Sequence, residues 1–490
     1  MDRNAQPFFV LLVLLLSAGF LIFLSSVRAH AQDHGDTWSS PEELFREDPG
    51  QYTNELWLLR DRADSLYLWW PVFLADTVGM TPADIQSTSS VFHTEWQNGP
   101  WQEPRDVLTW PKAGFLLTSA VIDDQGTIHA FSPTDCLSYS SVPHDQAMNA
   151  RSWSERTCVD SMGSSNVAVA IDDSDVIYLA YAAPQTRAMR VAVSVDGGVQ
   201  WSTSDVATTQ DYYGSPDGYF TSPDLAIDQN ERLHLVWSPV APPDGTPYLG
   251  VLYSRSDDGG LTWTPPVQLG QEHEGQAAIA VHEDEVHVLW NGDASKRGRY
   301  YRYSNDAGAT WSTVEKLGDD GGLQRPPALI VDNVGNLHAM LHEQDKLYYI
   351  AKIDSSWTEK SALYLPSQQN AFEVFAIRLA ITGGTQLHAV YTLLPNDGGR
   401  VIFHQSREID AEPETPIPWP AVAAATATLP AIADPSSTAT PTPIPARLEL
   451  DRPVQASRYS QGMSVAVGAF AAFLLTLGVI VVVSIQRRQS

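Results

Sequence analysis

Between residues 36 and 410 the chain alternates short apolar runs with polar turns, in a unit that returns about every 50 residues. One copy reads Leu225-Ala226-Ile227-Asp228-Gln229-Asn230-Glu231-Arg232-Leu233-His234-Leu235-Val236-Trp237: an apolar strand, a polar turn, then a strand carrying histidine between apolar neighbours. Runs this short, bounded by turn residues, predict β-strands. The histidine position is filled in chain order by Tyr67, His129, Tyr178, His234, His287, His338 and His388, at spacings of 62, 49, 56, 53, 51 and 50 residues. A tryptophan expected to open another strand recurs in step at Trp38, Trp101, Trp153, Trp201, Trp263, Trp311 and Trp357. The period suits a four-stranded blade, so the predicted fold class is an all-β propeller of seven blades. Six blades is the alternative, because the first repeat is the most divergent.

With the strands of a blade labelled A to D, strands A and B flank the turn ahead of the His/Tyr position, and the tryptophan marks D. The first tryptophan, in Asp36-Thr37-Trp38-Ser39-Ser40-Pro41, has no blade before it, and the last repeat ends at Val401-Ile402-Phe403-His404-Gln405-Ser406 with no D strand after it. The N-terminal strand is therefore expected to complete the last blade and close the ring. A position filled seven times by His or Tyr is architectural, since a reactive centre needs one special residue. No Gly-x-Ser-x-Gly elbow is present to set up a Ser-His-Asp arrangement.

Three of the C-to-D turns share a further pattern: Ser194, Asp196, Gly198 and Trp201; Ser256, Asp258, Gly260 and Trp263; Ser304, Asp306, Gly308 and Trp311. Short oxygen-bearing side chains can staple such a turn to its own backbone, and glycine tolerates positive φ there. These turns resemble the Asp-box, or BNR repeat, of the sialidase-type β-propellers. The resemblance implies a propeller, and it implies that the stapled turns lie away from any active centre. It also implies what a sialidase would need: three arginines gripping a carboxylate, a tyrosine nucleophile paired with glutamate, and an aspartate acid/base. The family's Arg-Ile-Pro motif is missing near the start of the propeller. Arg325-Pro326-Pro327 in the sixth repeat is the nearest string, and Tyr391 lacks the family's surroundings. Sialidases are six-bladed, which is a second departure.

A formal charge of −28 leaves no basic face for nucleic acid and reads as a solubilising acidic surface. Scattered aspartates could hold calcium, but no Asp-x-Asp-x-Asp-Gly loop with a distal glutamate occurs, and no cofactor is expected. The apolar run Phe8–Leu24 followed by Ala29-His30-Ala31 predicts a signal peptide over residues 1–31, or alternatively an uncleaved anchor. Ser464–Ile485 is uncharged and long enough to span a bilayer, and Arg487 and Arg488 place a tail at 486–490 in the cytoplasm. The Pro-, Ala- and Thr-rich residues 411–457 predict a semi-rigid stalk beneath a propeller at 36–410. The expected molecule is a single-pass surface protein with a monomeric head, its ectodomain outside. The lack of Asn-x-Ser/Thr sequons fits a bacterial surface.

The D-to-A and B-to-C connections share one face of the disc and are the more irregular ones, so ligand contacts are expected there. The candidates are the loop 203–222 with Tyr212, Tyr213, Asp217, Tyr219 and Phe220, the loop 71–89, then Glu272 and Glu274, then Arg297 and Arg299. Asp217, Asp224, Glu272, Glu274, Arg325 and Tyr391 are the candidates for catalysis. Cys136 and Cys158, read as lying in a B-to-C and a D-to-A connection of one blade, are expected to form a disulfide. A non-catalytic propeller binding an extracellular glycan or protein ligand is the preferred expectation. An exo-sialidase or related glycoside hydrolase is the alternative, and a protein-interaction scaffold the third.

Overall fold

The computed structural model describes residues 38–419, apart from 49–50, 54, 75–89, 110–118, 134–135, 162–166, 184–185, 211–217, 241–247, 294, 319–325, 344–345, 366–372 and 395–398. The repeats form seven separate antiparallel sheets, each of four or five strands. Blade 4 is typical, pairing in order Tyr219–Ile227, Leu233–Val240, Leu252–Ser256 and Val267–Gln268. The ring closes as expected: Glu42–Arg46 pairs antiparallel with Val401–Glu408 and supplies the outer strand of blade 7. This is the propeller the repeats imply, with seven blades.

Blade 1 is divergent because its inner strand is split. Trp57–Arg60 pairs with the first half of Leu66–Leu74, and Gln51–Tyr52 pairs with its end. Both predicted loops are shorter than expected: 71–74 belong to a strand of blade 1, while Ser202–Thr208 and Tyr219–Ile227 take half of 203–222.

The seven His/Tyr side chains are structural, and in five of them the chief partner is an aspartate six residues earlier. Asp228 Oδ1 accepts the backbone N–H groups of Asn230 and Arg232 at 2.8 and 3.0 Å, and its Oδ2 lies 3.0 Å from His234 Nε2. Asp61, Asp123, Asp172 and Asp332 repeat the arrangement with Tyr67, His129, Tyr178 and His338. One carboxylate thus closes the A-to-B turn and fixes the ring above it. The other ring nitrogen meets a strand C tyrosine, at 2.8 Å for His234 and Tyr253.

That tyrosine carries the linkage to the next blade. The Tyr253 hydroxyl lies 3.3 Å from Ala307 O in the Ser304-to-Trp311 hairpin, and Trp311 meets the Tyr253 ring edge-on at 4.8 Å. Trp201, Trp357 and Trp38 pack likewise on Tyr139, Tyr301 and Tyr349 of the preceding blades. Gly308 has φ +82°, and a Cβ there would overlap Tyr253. Most of the marker tryptophans precede strand D instead of opening it, because the ring must leave the sheet to wedge between blades. In the hairpin, Asp306 accepts from Ser304 Oγ at 2.7 Å, Thr310 N at 2.7 Å and Thr310 Oγ1 at 2.6 Å.

Cys136 and Cys158 form a disulfide with Cα atoms 5.9 Å apart. Cys158 lies within strand Thr157–Asp160, opposite Ser138, and not in the connection after it. Residues 411–419, expected to begin the stalk, instead lie on the A-to-B face of the disc. Ile417 N–H donates to Arg62 O at 2.7 Å, Trp419 Nε1–H donates to Asp61 Oδ2 at 2.8 Å, and Arg60 pairs with Glu414 at 2.6 Å. Apolar side chains inside the Pro-rich run, Trp419 above all, give this segment something to bury. The expected signal peptide, bilayer-spanning segment, tail and remaining stalk fall outside the described residues. Among the described residues no helix is long and apolar enough to cross a membrane.

Candidate functional site

The inner strands of all seven blades converge on a central cavity of about 340 Å³. Its lining comes from the first or middle part of each inner strand or from the residues just ahead of it, for example Ser119, Val167, Asp224, Gln276, Pro327 and Arg378. The cavity therefore lies toward the D-to-A end of the channel, the face chosen from the sequence. At the opposite end a smaller cavity is bordered by Arg60 and Glu414, where the C-terminal segment crosses.

Polar groups reach the cavity because three inner strands bulge. The register shifts between Thr221 and Asp224, between Gly275 and Ala278, and between Val374 and Ala376. Ser222 and Gln276 take positive φ, 50° and 55°, inside two of these bulges. Bulges re-aim side chains next to working sites at the expense of ladder hydrogen bonds.

Asp224 is the centre of the arrangement. Its Oδ2 accepts the Ile279 N–H of the next blade at 2.9 Å, and its Oδ1 accepts the Leu225 N–H at 3.1 Å. Burial, the largest influence, pushes the carboxyl up to about 6, against the pull of those two N–H groups and of Arg378. A proton is therefore available there near pH 6. Arg378 donates to Ile377 O at 2.8 Å and lies 4.0 Å from Glu55 on the blade 1 side. Trp57 offers an aromatic surface, braced edge-on by Trp69 at 5.5 Å. The lining thus combines an acid near its titration point, a guanidinium, a second carboxylate, an amide and an indole.

Several sequence candidates have other duties. Tyr391 is fully buried, its hydroxyl donates to Gln405 at 2.6 Å, and burial pushes its phenol above the ordinary range. It is a core residue, not a nucleophile. Phe220 is buried against Trp237, and Arg299 is buried with its guanidinium on His342 O, so neither is an open contact. Glu274 is buried between Lys296 and Trp290 Nε1–H, the latter at 2.8 Å. Tyr219, Glu272 and Arg297 are exposed. Tyr212, Tyr213, Asp217 and Arg325 lie outside the described residues. Among the described residues no three His, Cys, Asp or Glu side chains are placed to hold a metal ion. The sequence missed Arg378, Glu55, Trp57 and Gln276. The visible signal was a lone arginine inside Ala376-Ile377-Arg378-Leu379-Ala380.

Replacing Asp224 with asparagine is expected to stabilise the protein at pH 7 by about 1–3 kcal/mol. The unfolded carboxyl ionises above about 4 and the folded one only near 6, so folding carries a penalty that grows across that interval. The gain should show as a higher urea midpoint at pH 7 and vanish near pH 4. Equal midpoints at pH 7 would show that the carboxylate is already well solvated.

No model of a known family and no curated protein matches the sequence. Among solved structures, a protein of unknown function from Dyadobacter fermentans shares 15% identity, with 76% of this chain and 98% of that one covered, at a TM-score of 0.45. An ulvan lyase of polysaccharide lyase family PL25 gives 12%, 70%, 90% and 0.47 for the same quantities. The leech intramolecular trans-sialidase gives 12%, 75%, 70% and 0.41. At such values these are likenesses of outline, and the chemistry rests on this chain's own residues.

Proposed function

We propose that this chain is a surface-displayed propeller that binds an extracellular glycan at the D-to-A mouth of its central channel. The supporting observation is the bulged lining: Asp224, Gln276, Arg378 and Trp57 gather around a cavity of about 340 Å³. Hydrogen-bonding groups with an aromatic face suit a sugar, whose ring has polar edges and an apolar side. The surface location is supported by the two apolar runs of the sequence and by the disulfide, which favours an extracytoplasmic compartment. In a glycan panel the purified protein should retain specific sugars, and Arg378→Ala should weaken the best of them about tenfold or more. A blank panel, or full affinity in the variant, would remove the channel from consideration.

A hydrolase is the second reading, favoured by Asp224, since a carboxyl holding its proton near pH 6 can serve as a general acid. Release of a fluorescent aglycone by the wild type and not by Asp224→Asn would establish it.

A further inference from the structure

His273 sits immediately ahead of the blade 5 inner strand Glu274–His282, three residues from Gln276, which lines the cavity. At about 3.3 Å per residue this places it within roughly 10 Å of the lining, on the ligand side. The loop is already closed by backbone: His273 N–H donates to Tyr248 O at 2.8 Å, and Asp293 N–H donates to His273 O at 2.7 Å. Gln276 Nε2–H reaches the same tyrosine's hydroxyl at 3.0 Å, so Tyr248 ties the loop to the channel wall.

In addition, the buried Asp293 lies 2.7 Å from His273 Nδ1 through its Oδ2, while its Oδ1 accepts the Ser295 N–H at 2.7 Å. The imidazole itself is 36% exposed, at φ +70°. A carboxylate held on Nδ1 selects the Nδ1–H tautomer and leaves the Nε2 lone pair as acceptor. His273 Nε2 has no partner among the described residues. The repeated His129, His234 and His338 differ, because their rings are buried between an aspartate and a tyrosine.

We infer that His273, oriented by Asp293, is a ligand-contacting residue at the channel mouth, where its Nε2 accepts a hydrogen bond from a sugar hydroxyl. The inference deepens the glycan-binding proposal and rests on it. Asp293 is a positioning residue that fixes the tautomer and the ring plane.

The test uses the full chain, the highest-affinity glycan of the panel, and titration of the wild type against His273→Ala, His273→Gln and Asp293→Asn. The expected losses are about tenfold or more for both His273 variants and several-fold for Asp293→Asn. Nitrogen-15 imidazole spectra near pH 8, with the His273 signal assigned by its loss in His273→Gln, should show the Nδ1–H tautomer in the wild type and a mixture in Asp293→Asn. A His273→Gln chain that melts normally and binds fully would overturn the inference while leaving the glycan proposal standing. A wild type that binds no glycan would end both. An Nε2–H tautomer in the wild type would overturn the role of Asp293 and with it the acceptor assignment.

Discussion

Replacing His234 with alanine should cost about 3–5 kcal/mol, the sum of a cavity in the blade 4 core and two broken polar contacts. The ring is completely buried and holds Asp228 Oδ2 at 3.0 Å and the Tyr253 hydroxyl at 2.8 Å. Burial pushes the Asp228 carboxyl up, but hydrogen bonds from His234 and Arg232 outweigh it and hold the group well below the ordinary range. Removing the imidazole takes one of those donors away, and it frees the tyrosine that meets the next blade's hairpin at Ala307. His287 is the internal control, because Val281 stands where five of the turns have their stapling aspartate: its Nε2 is buried without a hydrogen-bond partner, and the Glu285 carboxylate lies at 3.5 Å. His287→Ala opens a cavity of the same size but orphans no carboxylate, so it should cost about 1–2 kcal/mol less. Urea unfolding of the two variants measures the difference. Equal costs would mean that the aspartate link adds nothing beyond packing.

That control explains what could be read from the letters. The period and blade count were legible because each His/Tyr and each Trp meets the same neighbours in every blade, so selection for packing repeats itself along the chain. The aspartate six residues before each ring was present in five of the seven turns but resembled any turn aspartate, because its second bond is to a distant side chain. Phe220, Arg299 and Tyr391 were misplaced for the converse reason. Whether a side chain at a strand end faces solvent or the neighbouring blade depends on the packing of the ring, which no local pattern records. The channel residues were hardest to see, since strands that line a pore and strands that fill a core are both apolar. Asp224 is a sequence candidate for the loop-rich face, and it lies within a strand, aimed inward by a bulge whose register no sequence period reveals.

Between pH 6 and pH 4.5 the stability of the wild type should fall by about 1.4 kcal/mol per pH unit, the slope of one net proton. Three groups with large shifts dominate this interval. His388 is pushed down to about 3 by burial and by His404, whose Nε2 is 3.0 Å away in the ring-closing blade. His287 is pushed down to about 4 by burial and then by Lys352 and His282. An unfolded histidine takes up its proton near 6.5, so each of these favours the unfolded chain as acid is added. Asp224 has the opposite sign, because its folded carboxyl binds a proton near 6 that the unfolded one refuses until about 4. Two protons gained on unfolding and one lost leave the single-proton slope. Substitutions should move that slope in opposite directions. Asp224→Asn removes the offset and should nearly double it, whereas His388→Gln should bring it close to zero, since only His287 and Asp224 then remain and they cancel. Urea midpoints at three pH values for the three proteins are sufficient. If Asp224→Asn leaves the slope unchanged, the channel carboxyl is ionised at pH 6 and cannot supply the proton that the hydrolase reading requires.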